Sequence, residues 1–512
     1  MEDMIIGRAL LGSLALALVA SAVARAQDAV KIDPDNPKYL LFRGKPLLLL
    51  SASEHYGSVI NRPFDYEKYL DDAQAHKMTM TRTFLFFREQ QSSRNPSSPC
   101  KPESPDFIAP FPRTGPGKAM DGEPVYDLDK WNPEYFERLH KFLDAASKRG
   151  IVVELTVFSN TYAPGVWALN PLRAENNLQH VGAVEWQDYI SLKNPELVSW
   201  QTRYARKIIQ ETAAYDNVYY EICNEPGGGF AGHASAADVD LWQAEMARVM
   251  RDEMRKLNRP HLLSGQQAFT YASENFFPND GTFSNDIFDI VNNHPLPNTH
   301  LDGKVFEMGG FMSRELKLDG VQGFCREAFA RPKPVVLDED NTASMYRDLT
   351  GWTIHRKRAW TALLSGCQYD YIDFSITVGS ESGTPASRAA IRTWMQNLSA
   401  FMDSFDYVHA QPAPDWIAAV PPHLLASAAA SGRDYVAYLA DAREVTDPAA
   451  GESIAGAVTI HLPPGVYDLL LYSPVAGQSS PAMEIHGGEN SIVNLPSFQH
   501  DIVIRATRRA TE

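Results

Sequence analysis

Two carboxylates at the ends of apolar runs are the residues of this chain best suited to chemistry. Val218–Pro226 reads VYYEICNEP, a buried-strand pattern that delivers Asn224 and Glu225 at its end, ahead of a Pro-Gly-Gly-Gly break. About a hundred residues on, Lys333–Asp340 reads KPVVLDED and ends the same way, with Glu339 as the counterpart. Two carboxyls brought to one mouth can open a glycosidic bond with retention: one is protonated and releases the leaving group, the other is ionised and attacks the anomeric carbon. Glu225 is assigned as acid/base and Glu339 as nucleophile. The Asn224 amide can hydrogen-bond a sugar hydroxyl beside the reacting centre. Arg82, in another apolar run, is a permanent cation able to keep Glu339 ionised and oriented.

Neighbouring residues compete for these roles. Strict alternation along the strand puts Asp338 and Asp340 on the side away from Glu339, as supports. Glu221 shares the parity of Glu225 but lies deeper and reads as a paired interior carboxylate; Glu154 is mid-strand and structural. Glu54 and His55 follow the first strand and are candidates to line a sugar subsite. His294 ends the sixth strand, where contact with substrate or nucleophile competes with a purely structural role. Trp167, in a long insertion at residues 159–194, is a candidate stacking face for a sugar ring, weighed evenly against packing of its own loop.

The elements needed to position these groups are legible as alternating strands and helices between about residues 45 and 400. Strands are expected at Leu47–Ser51, Met78–Phe87, Ile151–Phe158, the Val218 run, His261–Ser264, Asp289–His294, Val335–Leu337 and Gln368–Phe374. Amphipathic stretches such as Pro133–Lys148, Pro195–Tyr215 and Ala237–Leu257 are long enough to be crossover helices. Eight such units with acidic strand ends predict an α/β fold, a (β/α)8 TIM barrel, over residues 27–408. Residues 409–416 form a Pro-rich linker. Beyond it the pattern turns to period-two strands, predicting a small all-β sandwich domain over residues 417–512.

Bulk properties narrow the partners. Net charge is −16 and the pI near 5.4, which repels nucleic acid, and no basic cluster offsets it. Residues 9–24 form one apolar run ending in a small-x-small pattern, so residues 1–26 are expected to be a secretory signal peptide, with a secreted or periplasmic product and no membrane attachment after cleavage. The four cysteines, Cys100, Cys223, Cys325 and Cys367, lack metal-type spacing and read as structural, with a Cys100–Cys325 pairing open. No metal or organic cofactor is expected, and the oligomeric state is left open.

The pattern resembles glycoside hydrolase clan A, the cellulase-like barrel enzymes. Tyr220–Pro226 (YEICNEP) and Pro334–Glu339 (PVVLDE) are similar to that clan's acid/base and nucleophile motifs, Thr81-Arg82 to its second-strand arginine, and Tyr126–Leu139 to the start of one of its helices. The C-terminal region, with Gly465-Val-Tyr467 and Leu495-Pro-Ser-Phe498, resembles the domain attached to apiosidase-like glycosidases. The resemblance implies a retaining glycosidase acting on plant or microbial poly- or oligosaccharide, and hence a carbohydrate partner. Two departures bear on the sugar: His294-Pro-Leu296 stands where the clan often has His-x-Tyr, and Tyr371, Asp373 and Phe374 stand where it often has Trp. A furanosidase acting on arabinofuranosyl or apiosyl linkages and a non-catalytic carbohydrate-binding barrel are the alternatives.

Overall fold

The computed structural model describes residues 29–53, 57–86, 105–161, 163–227, 234–268, 281–294, 299–301, 304–306, 318–340, 349–372, 384–443 and 447–510. Eight strands build one parallel sheet: β1 (Leu50–Ser53), β2 (Met80–Phe84), β3 (Val152–Ser159), β4 (Val218–Asn224), β5 (Leu263–Gln266), β6 (Ile290–Asn293), β7 (Val335–Asp340) and β8 (Gln368–Ile372). From β2 to β8 each strand pairs with the next, and β8 returns to β1. Between β1 and β2 the seam is closed by the Thr79 N–H to the Leu50 carbonyl at 3.0 Å. Ser51 and Ser53 hydroxyls add bonds to the Met80 carbonyl and the Arg82 N–H. The result is a (β/α)8 barrel followed by a region of antiparallel sheets.

Local sequence explains the alternation. Helices α1 (Tyr66–Ala75), α2 (Pro133–Lys148), α3 (Pro195–Thr212), α4 (Ala236–Leu257), α5 (Leu318–Phe329), α6 (Leu349–Leu364) and α7 (Pro385–Asp403) follow strands β1, β2, β3, β4, β6, β7 and β8. Asn132 and Asn194 cap α2 and α3 from the side chain, each before a Pro in the first turn, where the missing N–H is harmless. Asn258 ends α4 in the left-handed conformation, φ 53°. After β5 the described helix is only Gly281–Ser284.

The first strand differs from expectation. Lys45–Leu47 belongs to a separate antiparallel sheet with Lys31–Ile32 and Leu40–Phe42, and the barrel strand begins at Leu50. That sheet places Leu40, Phe42 and Leu47 against Met80, Val152, Tyr219 and Val336, sealing the end of the barrel opposite the site. A continuous Leu run cannot reveal where one strand stops and another starts.

The β-domain contains β9 (Leu424–Ala430), β10 (Asp434–Asp441), β11 (Ile454–His461), β12 (Val466–Ser473), β13 (Asn490–Phe498) and β14 (Asp501–Arg508). Strands β9, β10, β14 and β12 adjoin in that order in one sheet, and β11 pairs with β13 in another. The Pro-rich 409–416 segment is already part of this domain: Gln411 pairs with Ala430, and Trp416 is buried in its core. The domain docks on the barrel's outer helices through Arg356 of α6, whose Nε lies 2.7 Å from Asp501, and through Trp360 stacked on Tyr438. Among the described residues no helix is long and apolar enough to cross a membrane.

Candidate active site

Arg82 on β2 is the hub. It is fully buried, and its guanidinium reaches two other strands, β4 and β7. Nη1 donates to Glu339 Oε2 at 2.7 Å, Nη2 to Asn224 Oδ1 at 2.7 Å, and Nε and Nη2 to the two Glu221 oxygens at 2.9 Å each. Asp338 Oδ2 lies 3.0 Å from Nε. Burial works to depress the guanidinium, but Asp338, Glu221, Glu339 and Glu154 together hold it well above its ordinary value. Asn224, through Nδ2, also donates to Ser159 Oγ at 3.2 Å, so its orientation is fixed from both sides.

Glu225 and Glu339 meet at His294. The imidazole Nδ1 lies 3.2 Å from Glu225 Oε1 and 3.5 Å from Glu339 Oε2, and one oxygen of each carboxylate lies within 4.8 Å of the other. Both glutamates have left-handed backbones, φ 44° and 59°, rare for a side chain of this size. The Gln266 Oε1 on β5 accepts the Glu225 N–H and helps hold that turn.

Burial is the largest influence on Glu339 and, with the Glu225 charge, pushes it up to about 7, while His294 and Arg82 pull it back. Burial depresses His294, but Glu339 and Glu225 more than offset it and the imidazole is raised overall. Protons therefore leave this trio in shared steps, and the pH at which Glu339 is ionised is set by all three groups. The Arg82 and His294 contacts favour the charge on Glu339 against its deeper burial, its side chain being 8% exposed and that of Glu225 21%.

Beneath the pair lie more acids. Glu154 accepts from Tyr219 at 2.8 Å, and burial, with Asp338 and Glu221, pushes it well up. Asp370 on β8 is also pushed well up by burial and by Asp338. Among the described residues two donor sets have metal-type spacing, Glu225–His294–Glu339 and Glu154–Glu221–Asp338. Arg82 is bonded to Glu339 in the first and to Glu221 and Asp338 in the second, so an added cation would face a fixed guanidinium; neither set suits a metal.

The structure brings Arg82, Asn224, Glu225, His294 and Glu339 together. Glu54 and His55 lie outside the described residues. Trp167 is placed elsewhere: it is 1% exposed, its Nε1 donates to the Val184 carbonyl at 3.0 Å, and its ring lies against Tyr189. It packs its loop, a role for which its apolar ring and single donor suffice. The expectation that Asp338 faces away from Glu339 is corrected. Leu337 pairs with Tyr369 but Asp340 with Tyr371, three residues against two, and this bulge turns both Asp338 and Glu339 toward Arg82. Asp340 alone points outward, to Arg358 at 2.8 Å and Tyr369 at 2.7 Å. Cys223, Cys325 and Cys367 are free and buried, with Cys325 against Cys367; Cys100 lies outside the described residues.

Sequence reading missed Gln266, whose backbone is expected in a weak strand and whose amide carries no motif. Its Nε2 and the His294 Nε2 are buried polar atoms without a hydrogen-bond partner among the described residues, positioned around Glu225.

A domain of unknown function (DUF6298) matches residues 100–212. No curated protein matches the chain. Among solved structures, a glycoside hydrolase family 5 protein from Bacteroides vulgatus ATCC 8482 superposes with a TM-score of 0.61 at 12% identity, over 94% of each chain. Another chain, described as a glycoside hydrolase, does so with a TM-score of 0.58 at 12% identity, over 94% of this chain and 98% of that one. The likeness extends through barrel and β-domain alike, and the fold of this chain is one shared with glycoside hydrolases of clan A.

Proposed function

We propose that the chain is a retaining glycoside hydrolase that cleaves plant or microbial poly- or oligosaccharides by double displacement. The observation that carries this reading is the approach of Glu225 and Glu339 to within 4.8 Å, oxygen to oxygen, around one imidazole. That approach is closer to the separation of about 5–5.5 Å in a retaining pair than to the roughly 6.5–9.5 Å of an inverting one. In the first step Glu339 bonds to the anomeric carbon, the glycosidic C–O bond breaks, and the Glu225 proton goes to the departing oxygen. In the second, water attacks the same carbon, Glu225 takes its proton, and the Glu339 ester bond breaks. Arg82 favours the charge on Glu339 and aims it, and the Asn224 amide stands beside the acid, where a sugar hydroxyl next to the reacting carbon would meet it. Gln266 and His294, which both touch Glu225, carry buried Nε2 atoms that could donate to a substrate bound there.

The apolar run at residues 9–24 supports export, hence a secreted or periplasmic enzyme. Fusion of residues 1–26 to a reporter tests this directly; a reporter retained in the cytoplasm refutes it.

The reading is tested by screening the purified protein against aryl glycosides of pyranose and furanose sugars and against polysaccharides, beside Glu225→Gln and Glu339→Gln. Activity lost in both variants, with the product's anomeric configuration retained, is the expected result. Product of inverted configuration, or full activity in either variant, overturns it.

A further inference from the structure

We propose that Asp338 is a positioning residue for the nucleophile, its two carboxylate oxygens holding the Glu339 backbone and the Arg82 guanidinium at once. The inference rests on Glu339 being the nucleophile. Asp338 Oδ1 accepts the Glu339 N–H at 2.9 Å, a bond between adjacent residues that closes the left-handed turn at Glu339. Asp338 Oδ2 faces Arg82 Nε at 3.0 Å and accepts from Asn292 Nδ2 at 3.1 Å. The β7 bulge is what allows this, because in a regular strand the two side chains would point to opposite faces.

Only a group with two acceptors and no donor can do both. An amide of the same shape keeps one acceptor, so it must release either the Glu339 N–H or the guanidinium. The carboxylate also competes with Glu339 for the single charge of Arg82. The groups facing this junction are Arg82 from β2, Glu154 from β3, Glu221 and Glu225 from β4, His294 after β6 and Asp370 from β8. From β5 the facing side chain is the uncharged Gln266, and from β1 Ser53 bonds Asp370.

The test is Asp338→Asn beside the wild type and Glu339→Gln, on the aryl glycoside the wild type cleaves best. Three readouts are taken: the acidic limb of kcat/KM against pH, the rate of covalent trapping by the matching 2-deoxy-2-fluoro glycoside, and the melting temperature. We expect trapping to slow about tenfold to a hundredfold, as displacement of a reacting group by a fraction of its bond length does. The acidic limb should move down by about one pH unit, because a negative charge beside Glu339 is gone. Asn292→Ala removes only a donor to Asp338, which then draws harder on Arg82; its limb should move the other way, up by a few tenths of a unit. If Asp338→Asn does not fold, the Asn292→Ala limb decides. Limbs and trapping rates that match the wild type, with only the melting temperature lowered, overturn the proposal while leaving the glycosidase reading intact. A wild type that cleaves none of the glycosides, or a fully active Glu339→Gln, overturns that reading and the proposal with it.

Discussion

Replacing Glu225 by glutamine removes a negative charge whose nearest oxygen lies within 4.8 Å of Glu339. Taken at that separation and an effective dielectric constant of about 20, the repulsion is ~3.5 kcal/mol, or ~2.5 pH units on whichever carboxyl ionises second. Two features reduce it: Glu225 is 21% exposed, and the His294 imidazole at 3.2 Å already neutralises part of its charge. About one unit is left. With Glu225 as the acid, Glu339 ionises first beside a neutral neighbour, so the repulsion raises the basic limb of kcat/KM and not the acidic one. In Glu225→Gln, whose amide mimics the protonated acid, the acidic limb should therefore stay within a few tenths of a unit of the wild type. The assay uses a dinitrophenyl glycoside, whose leaving group departs without a proton, so that the variant keeps a measurable rate. The basic limb, which reports loss of the acid's proton, should vanish in the variant. On a substrate with an ordinary sugar leaving group the rate should drop about 10²–10⁴-fold. An acidic limb that falls by a unit or more, or a basic limb that persists, would refute the assigned roles of these two carboxylates.

Arg82→Met leaves Glu221, Asp338 and Glu339 buried without their shared cation, and should destabilise the barrel by about 3–5 kcal/mol in urea unfolding; a loss under about 1 kcal/mol would show that the acids are already neutral. The raised Asp370 carboxyl makes the native state hold a proton that the unfolded chain releases near pH 4, so stability is fully present below that pH and lost as pH rises toward the folded-state value. Asp370→Asn mimics the protonated form, and its unfolding free energy should decline less than the wild type's between pH 5 and 8; parallel curves would contradict the assignment. Trp167→Ala should lower stability by about 3–5 kcal/mol while leaving KM near the wild-type value, whereas a large rise in KM without loss of stability would mean that the ring touches the sugar.

The barrel was legible because its signals are local. Apolar runs bounded by caps and Gly residues give strand and helix in alternation, and α2 and α3 begin where Asn-Pro pairs place them. Strand ends carrying Asn224-Glu225 and Glu339 pointed to one face of the barrel from residue order alone. The antiparallel sheet at the opposite end was not legible, because Leu47 through Leu50 look alike whether they pair with Leu40 or with β8. Strand β9, rich in Ala and Ser, and β13, interrupted by Pro496, lack the β-branched alternation by which strands are recognised.

The sequence by itself determined which carboxylates, which amide and which cation are available, and that strand ends would present them. Only the tertiary structure decided how they are shared. Arg82 and Glu221 are 139 residues apart in the chain and Arg82 and Glu339 257 apart, and no local rule states which acids one guanidinium will bind. Side-chain parity, reliable along a regular strand, fails at Asp338-Glu339 because a bulge and a left-handed residue break the alternation. Likewise Trp167 and His294 were equally suited to two roles as residue types. Burial against Tyr189 and Val184 gave the tryptophan to its loop, and closure of the sheet between β4 and β7 set the histidine between the two glutamates.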